Sequence, residues 1–486
     1  VTKLSLHQGA YQARSPIANA QVCINLYPES NPQDAPFPVT HYPGPGLTLL
    51  SDFSSQFTGF VRGIYETSNG AIVIVIGTNV ISWHGPGNTS SSYVFLGNLP
   101  SDTGKPVSMC DNQTDLVIVD GTPGGGWYIP LTSINSGTII AISDPAFYGS
   151  TRVDFIDTFL IFNSPGTPSF YSTTSNVLLP FDPTYFAGKE GWNDLLICVA
   201  ALHDNIWLLG NTTTEIWFNA GGATFPFARM PNSILQQGCV APYSVVIADN
   251  AIYWLSQDRW GRNLMMRGEG YSARRISTFA VEDEWATYPT LEDAVAMTYQ
   301  LSGHEIIGVY FPTGATWWAY DASTQLWHKR TYSDLTTPWL PFCMSGWGGV
   351  EDIAVGKINQ IIAGDRTGAR IYGVDRKGYT DNGVAIHRQR SWAHVQDDGQ
   401  RIYHSRFSLS FAGAAMLPDT ISLDWSDDAG QTYGTAVPQT INNQTNGQYQ
   451  WRRLGYARDR VYRATWSGSG EHALNGAWAD VTPGAT

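Results

Sequence analysis

Seven times between residues 72 and 372, a short apolar run meets a turn former and a second run of the same kind follows. The units are Ile72 to Trp83 around Gly77, Leu116 to Tyr128 around Gly121, and Phe159 to Tyr171 around Pro165-Gly166. Ile206 to Phe218 around Gly210, Ile252 to Met265 around Asp258, Ile306 to Tyr320 around Gly314, and Ile361 to Tyr372 around Asp365 complete the series. With turn centres at 77, 121, 166, 210, 258, 314 and 365, successive units lie 44 to 56 residues apart. That spacing is close to the ~40–50-residue period of one propeller blade. Each second run carries an aromatic side chain: Trp83, Trp127, Phe170, Trp217, Trp260, Trp317 and Tyr372. A four-stranded blade cannot bury both of its faces alone, whereas blades stacked around an axis do so and leave only short edges. The chain therefore reads as all-β, with a β-propeller of about seven blades, six to eight being compatible with the spacing, over residues 51–385. The units share little sequence, so an irregular array of β-sandwiches stays open as the alternative.

Composition agrees with many short strands. Aromatic residues make up 13% of the chain, and 49 Gly and 27 Pro supply turn formers. The best helical candidate is short, around Glu282 to Thr287. Residues 1–50 are rich in Pro, Asn and Gln and include Tyr42-Pro-Gly-Pro-Gly46, which predicts an extended strap with sharp turns. The strap is expected to run outside any single blade and to touch another domain or subunit, and its deletion to leave a folded monomer. From residue 386 to 486, alternation such as Arg401-Ile-Tyr-His-Ser-Arg-Phe-Ser-Leu-Ser-Phe411 predicts half-buried antiparallel strands and a β-sandwich.

Charge and cysteine usage exclude several functions. The formal net charge is −13, and affinity for nucleic acid rests on Lys and Arg neutralising phosphates, so a broad DNA-gripping face is excluded and only a local patch stays open. The cysteines Cys23, Cys110, Cys198, Cys239 and Cys343 form no C-x-x-C pair and read as buried free thiols of a reducing compartment. No apolar run reaches the ~18 residues of a membrane span, so direct membrane insertion is not expected.

Motifs of catalysis are sparse. Ser426-Asp-Asp-Ala-Gly-Gln-Thr-Tyr433 resembles the Asp-box of sialidases, in which Ser426, Asp428, Gly430, Thr432 and Tyr433 would form a structural hairpin turn. It occurs once, outside the seven units, whereas a sialidase repeats it in several blades. Glu282, Asp283 and Glu284 are adjacent and read as a solvated acidic turn, not as the separated pair that glycoside hydrolysis requires. His203-Asp204 and His304-Glu305 lack metal-ligand spacing. No catalytic, cofactor-binding or metal-binding residue is predicted. The stretch with Arg452, Arg453, Arg458, Arg460 and Arg463 has three readings: intersubunit ion pairing, which is preferred, solvated surface, or DNA contact.

Two stretches resemble a known family. They are Gln12 to Leu47, with Arg14-Ser-Pro16, Gln21-Val-Cys-Ile-Asn-Leu-Tyr-Pro-Glu29 and Tyr42-Pro-Gly-Pro-Gly-Leu47, and Arg452 to Arg463 followed by Ala473 to Gly484. Together they resemble the packaged-DNA stabilisation proteins of podoviruses, the tail accessory factors that form a hub or nozzle. The resemblance implies a non-enzymatic virion tail protein assembled in the host cytoplasm without a cofactor. It implies a homo-hexamer under the portal and tail adaptor, contact with a tailspike or tail fibre and with a tail needle or plug, and packaged double-stranded DNA passing through the channel. Arg14, Tyr27, Glu29, Tyr42, Arg452, Arg453, Arg458 and Arg460 are the candidate interface residues. A glycan-binding or sialidase-like propeller is the alternative function.

Overall fold

The computed structural model describes residues 2–3, 10, 20–192, 194–222, 224–258, 261–352, 356–412, 420–440, 448–468, 470 and 472–483. Each of the seven hairpins forms the middle of an antiparallel sheet. Five four-stranded sheets follow in order over 61–98, 108–141, 153–188, 196–235 and 246–275. A sixth set of four strands covers 295–329, and a seventh begins with three strands between 341 and 375. The seventh blade takes its fourth strand from the N-terminal region: Gly46–Asp52 pairs antiparallel with Arg370–Asp375.

The continuous apolar run Ile72–Ile76 shows why the blades stack into a closed ring. Side chains alternate between the two faces of a strand. Ile72, Ile74 and Ile76 pack with Ile362 and Ile371 of blade seven, while Val73 and Val75 pack with Leu116, Ile118 and Ile129 of blade two. Both faces of blade one are therefore buried, and the contact between blades seven and one closes the circle. Similar interleaving joins blades two and three through Val117, Val119, Leu160 and Phe162, and blades four and five through Trp207 and Trp254. The predicted inter-blade aromatics Trp83, Trp127, Phe170, Trp217, Trp317 and Tyr372 are all buried. Trp260 lies outside the described residues, and the buried indole of blade five is Trp254, on the preceding strand.

Among the described residues one α-helix, Phe279–Trp285, sits between blades five and six. It begins three residues before the predicted start because the Thr278 side chain caps it, accepting the Val281 N–H. Its acidic residues correct the expectation of a solvated turn. Glu282 is buried and accepts hydrogen bonds from Arg262, Arg275 and Ser277. The arginines come from blade five, so the carboxylate ties the helix to that blade; sequence adjacency to Asp283 and Glu284 hid this.

The C-terminal region forms two packed sheets. One has the order Leu26–Ser30, Val39–Pro43, Ala473–Pro483, Ile402–Ala412, Gln448–Arg452. The other contains His387–Ser391, Asp459–Ser467, Thr420–Ser426 and Val437–Thr440. Trp392, Phe407, Trp451, Tyr462 and Trp466 fill the space between them, with the Phe407 and Tyr462 rings stacked at 4.3 Å.

The N-terminal segment is extended, as its Pro and Gly content implies, and its extended pieces are paired strands. Cys23–Ile24 lies between blade six and the sandwich, Leu26–Ser30 and Val39–Pro43 form a hairpin on a sandwich sheet, and Gly46–Asp52 completes blade seven. The segment does touch another domain. It does not stay outside the blades, because a seventh blade with three strands of its own needs a fourth to cover its outer edge.

Candidate functional site

Three regions are candidates for a functional site: the arginine stretch with the Asp-box-like turn, the strap hairpin, and a cavity lined by the loops of several blades.

In the sandwich, Ser426 ends one strand and the chain turns back through Gly430, which has a φ of +83°. The Ser426 Oγ accepts the Gly430 N–H at 2.8 Å. Asp428 Oδ1 accepts the N–H groups of Gln431 at 3.1 Å and Thr432 at 2.8 Å, and the Thr432 hydroxyl donates to its other oxygen. Hydrogen bonds from Ser426 and Thr432 hold the Asp428 carboxyl down at about 2. The Arg463 guanidinium lies 3.6 Å from the Tyr433 ring centroid and pairs with Asp424. All five predicted turn residues therefore meet in one hairpin whose polar atoms are spent on local backbone. A Cβ on Gly430 would stand 2.3 Å from the Cβ of Ala20, so the turn packs directly against the strap.

The arginines separate into two kinds. Arg460 is buried; it forms two hydrogen bonds to Asp427, at 2.6 and 2.8 Å, donates to the Leu454 carbonyl at 2.6 Å, and lies over Trp425. Its charge is committed within its own domain, which leaves the predicted intersubunit pair without a free guanidinium at this position. Arg452, Arg453 and Arg458 are exposed; Arg452 reaches Gln450 and Arg458 reaches the Gly399 carbonyl. Arg460 lies on the strand Asp459–Ser467, where it, Val461 and Tyr462 are all buried, whereas Arg452 ends the strand Gln448–Arg452 and Arg453 and Arg458 lie between strands, facing solvent.

In the strap, Tyr27 and Tyr42 stack at 5.8 Å across the hairpin, and Tyr27 meets the His304 ring edge-on at 5.2 Å. His304 pairs with Asp321 at 2.7 Å, and Glu29 lies 3.7 Å from its other ring nitrogen. The hydrogen bond to the Asp321 carboxylate raises the imidazole above its ordinary value, although burial opposes it. The partner of His304 is thus Asp321 and not its neighbour Glu305. Arg14 lies outside the described residues.

The cavity was not visible from sequence. It has a volume of about 860 Å³ and is lined by residues from Thr103 to Phe342, among them Lys105, Asn163, Tyr243, Glu292 and Asp293. A smaller cavity of about 310 Å³ adjoins it and shares Pro106, Thr151, Pro242, Tyr243 and Phe342. In the wall of the smaller cavity the buried Arg62 donates to the Lys105 and Gly77 carbonyls and to Thr103, joining blades one and two. The residues lining the larger cavity are spread from position 103 to position 342, and no local spacing announces them. The thiol in its wall, Cys239, contacts the Ala241 carbonyl, and no histidine lines that cavity among the described residues. Elsewhere burial pushes the Cys23 thiol up to about 11 and that of Cys343 up to about 12, which keeps both protonated and unreactive. Among the described residues, no group of three or more His, Cys, Asp or Glu could hold a metal ion.

Comparison with known proteins gives two family matches. The family described as bacteriophage P22 Gp10, β-propeller, matches residues 2–379, and that described as bacteriophage P22 Gp10, β-sandwich, matches residues 387–482. No curated protein matches the sequence. Among solved structures, the WD40 β-propeller domain of Doa1 is similar at 10% identity, over 67% of this chain and 97% of that one, with a TM-score of 0.37. The extracellular domain of the two-component system protein BT4673 from B. thetaiotaomicron is similar at 9% identity, over 90% and 60%, with a TM-score of 0.42. An exo-β-1,3-galactanase from Phanerochaete chrysosporium is similar at 10% identity, over 77% and 95%, with a TM-score of 0.26. At such identities and scores these three likenesses carry no argument about activity.

Proposed function

The chain belongs to the bacteriophage P22 Gp10 family of phage tail proteins, and we propose that it is a non-enzymatic hub or nozzle subunit of a short-tailed double-stranded-DNA phage. In this reading six copies form a ring below the portal and tail adaptor, in a virion tail assembled in the host cytoplasm. The ring extends the channel, retains packaged DNA, and offers attachment for tailspikes or fibres and for a needle or plug. The observation that carries the reading is the pair of consecutive family matches, which together span nearly the whole chain.

Physical features support it. The net charge of −13 disfavours phosphate binding, so a lumen built from such a chain lets DNA slide. Lumen-facing positions are expected to be neutral or acidic on average. The exposed Arg452, Arg453 and Arg458 have charge available for a neighbouring subunit, and Glu29 on the strap hairpin offers a carboxylate. The Asp-box-like turn lies in the sandwich and its carboxylate is used by its own backbone, so it lends no support to a glycosidase.

The test is co-assembly. Native mass spectrometry of the chain mixed with the portal and adaptor of its phage should show six copies joining the complex, and cryo-EM of the virion tail should place them below the adaptor. A chain that stays monomeric with those partners and is missing from the tail would overturn the proposal.

A further inference from the structure

We propose that residues 20–52 form a clasp that makes closure of the propeller and docking of the sandwich a single cooperative event, with Asn25 and Arg330 as its keystone. The family matches divide the chain at about residue 380, yet hydrogen bonding runs across that division. Cys23–Ile24 is the bridge: Ile24 pairs parallel with Lys329 of blade six, while Cys23 and Ile24 pair antiparallel with Arg390 and Gln389 of the sandwich. One ten-stranded sheet results, running from blade six into the second domain. Twenty residues on, Gly46–Asp52 closes blade seven.

Asn25 stands where these pairings meet. Its φ of +59° is a left-handed conformation that asparagine tolerates better than most residues. Its amide nitrogen donates to the Thr331 hydroxyl at 2.8 Å and to the His387 carbonyl at 2.7 Å, and its amide oxygen accepts from the Thr331 N–H at 2.8 Å and from Arg330 at 3.2 Å. One side chain thus bonds both the propeller and the sandwich and has its full hydrogen-bonding capacity met. Arg330 is buried, donates to the Pro45 carbonyl at 2.6 Å, and lies 4.2 Å from the ring centroid of Trp339, just before the first strand of blade seven. Gly44 admits the guanidinium: a Cβ there would stand 2.3 Å from Nη1. The side-chain hydrogen bonds described for this buried cation both go to the N-terminal segment. If the segment leaves, a buried cation loses those partners at the same moment as blade seven loses its outer strand and the sandwich loses its hairpin. The three losses cannot occur one at a time without leaving buried polar groups unsatisfied.

The clasp is tested on the full chain by hydrogen-exchange mass spectrometry along a urea series. In the wild type, peptides from 23–52, from blades six and seven, and from 387–483 should lose protection in one step. Asn25→Ala should split that step, with the strap and sandwich peptides losing protection at lower urea than the first five blades. Asn176→Ala removes an exposed turn asparagine of similar φ, +57°, and should leave a single step. Separate wild-type transitions for the two domains would overturn the proposal, as would an Asn25→Ala protein whose step stays single at the wild-type midpoint. Should Asn25→Ala fail to fold, the wild-type series decides alone.

Discussion

Asp381 offers a quantitative test of the junction between strap and propeller. Its side chain is fully buried, accepts from Trp339 Nε1 at 3.3 Å, and sits on a short strand paired with Leu47. Burial raises its carboxyl to about 6 from 3.8, with Arg330, the Trp339 and Leu47 N–H groups and Arg388 pulling the other way. The folded carboxyl therefore holds its proton more tightly than the unfolded one. Between pH 4 and 6 the folded state binds more protons, so stability falls as pH rises through that window and is flat beyond it. A shift of about two units at 1.36 kcal/mol each sets the loss at about 3 kcal/mol. Asp381→Asn keeps the shape and removes this titration. Urea unfolding at pH 4, 5, 6 and 7 should show the wild type losing about 2 kcal/mol relative to the variant across the series, the rest of the loss lying below pH 4. Parallel curves for the two proteins would refute the reasoning, since they would mean that Asp381 titrates alike in the folded and unfolded chains.

Arg460→Ala should destabilise the isolated subunit by about 1–3 kcal/mol, through lost charged hydrogen bonds and an unmet Leu454 carbonyl, whereas Arg452→Ala, Arg453→Ala and Arg458→Ala should each stay within about 0.5 kcal/mol; chemical denaturation of the four variants separates them. Asp428→Ala should abolish exchange protection at the Gln431 and Thr432 amides while leaving the remaining sandwich amides unchanged by NMR. Because the Asp428 carboxyl is held down at about 2, that protection in the wild type should persist below pH 3.8 and fade only as pH falls through about 2. Trp254→Ala should cost about 3–5 kcal/mol, read by urea unfolding, since the indole fills the space between blades four and five. Duplex DNA should bind weakly at about 50 mM salt and no better at about 200 mM; tight binding that collapses at the higher salt would reveal a basic phosphate-tracking surface and reject the sliding-channel argument.

The hairpins were legible because their information is local. Alternating side chains, a turn former and a buried aromatic recur within a dozen residues, and the run Ile72–Ile76 states by composition that both of its faces are covered. The Asp-box-like turn was legible for the same reason: every partner of Asp428 lies within four residues. Sequence also determined the acidic balance, which no folding can change.

Tertiary structure decided what depends on distant partners. Glu282 looked solvated beside two other acids, and only the folded arrangement brings Arg262 and Arg275 of the preceding blade onto its carboxylate. Arg460 and the exposed Arg458 belong to one short stretch, and only the burial of Arg460 against Asp427 and the Leu454 carbonyl told them apart. The Pro-rich N-terminus read as a strap because Pro and Gly report an extended backbone and nothing of its hydrogen-bonding partners. Those partners are strands that begin more than three hundred residues later, at Arg370 and His387. Pairing across that separation is selected by which edges the finished blades leave open, and an open edge exists only once the fold has formed.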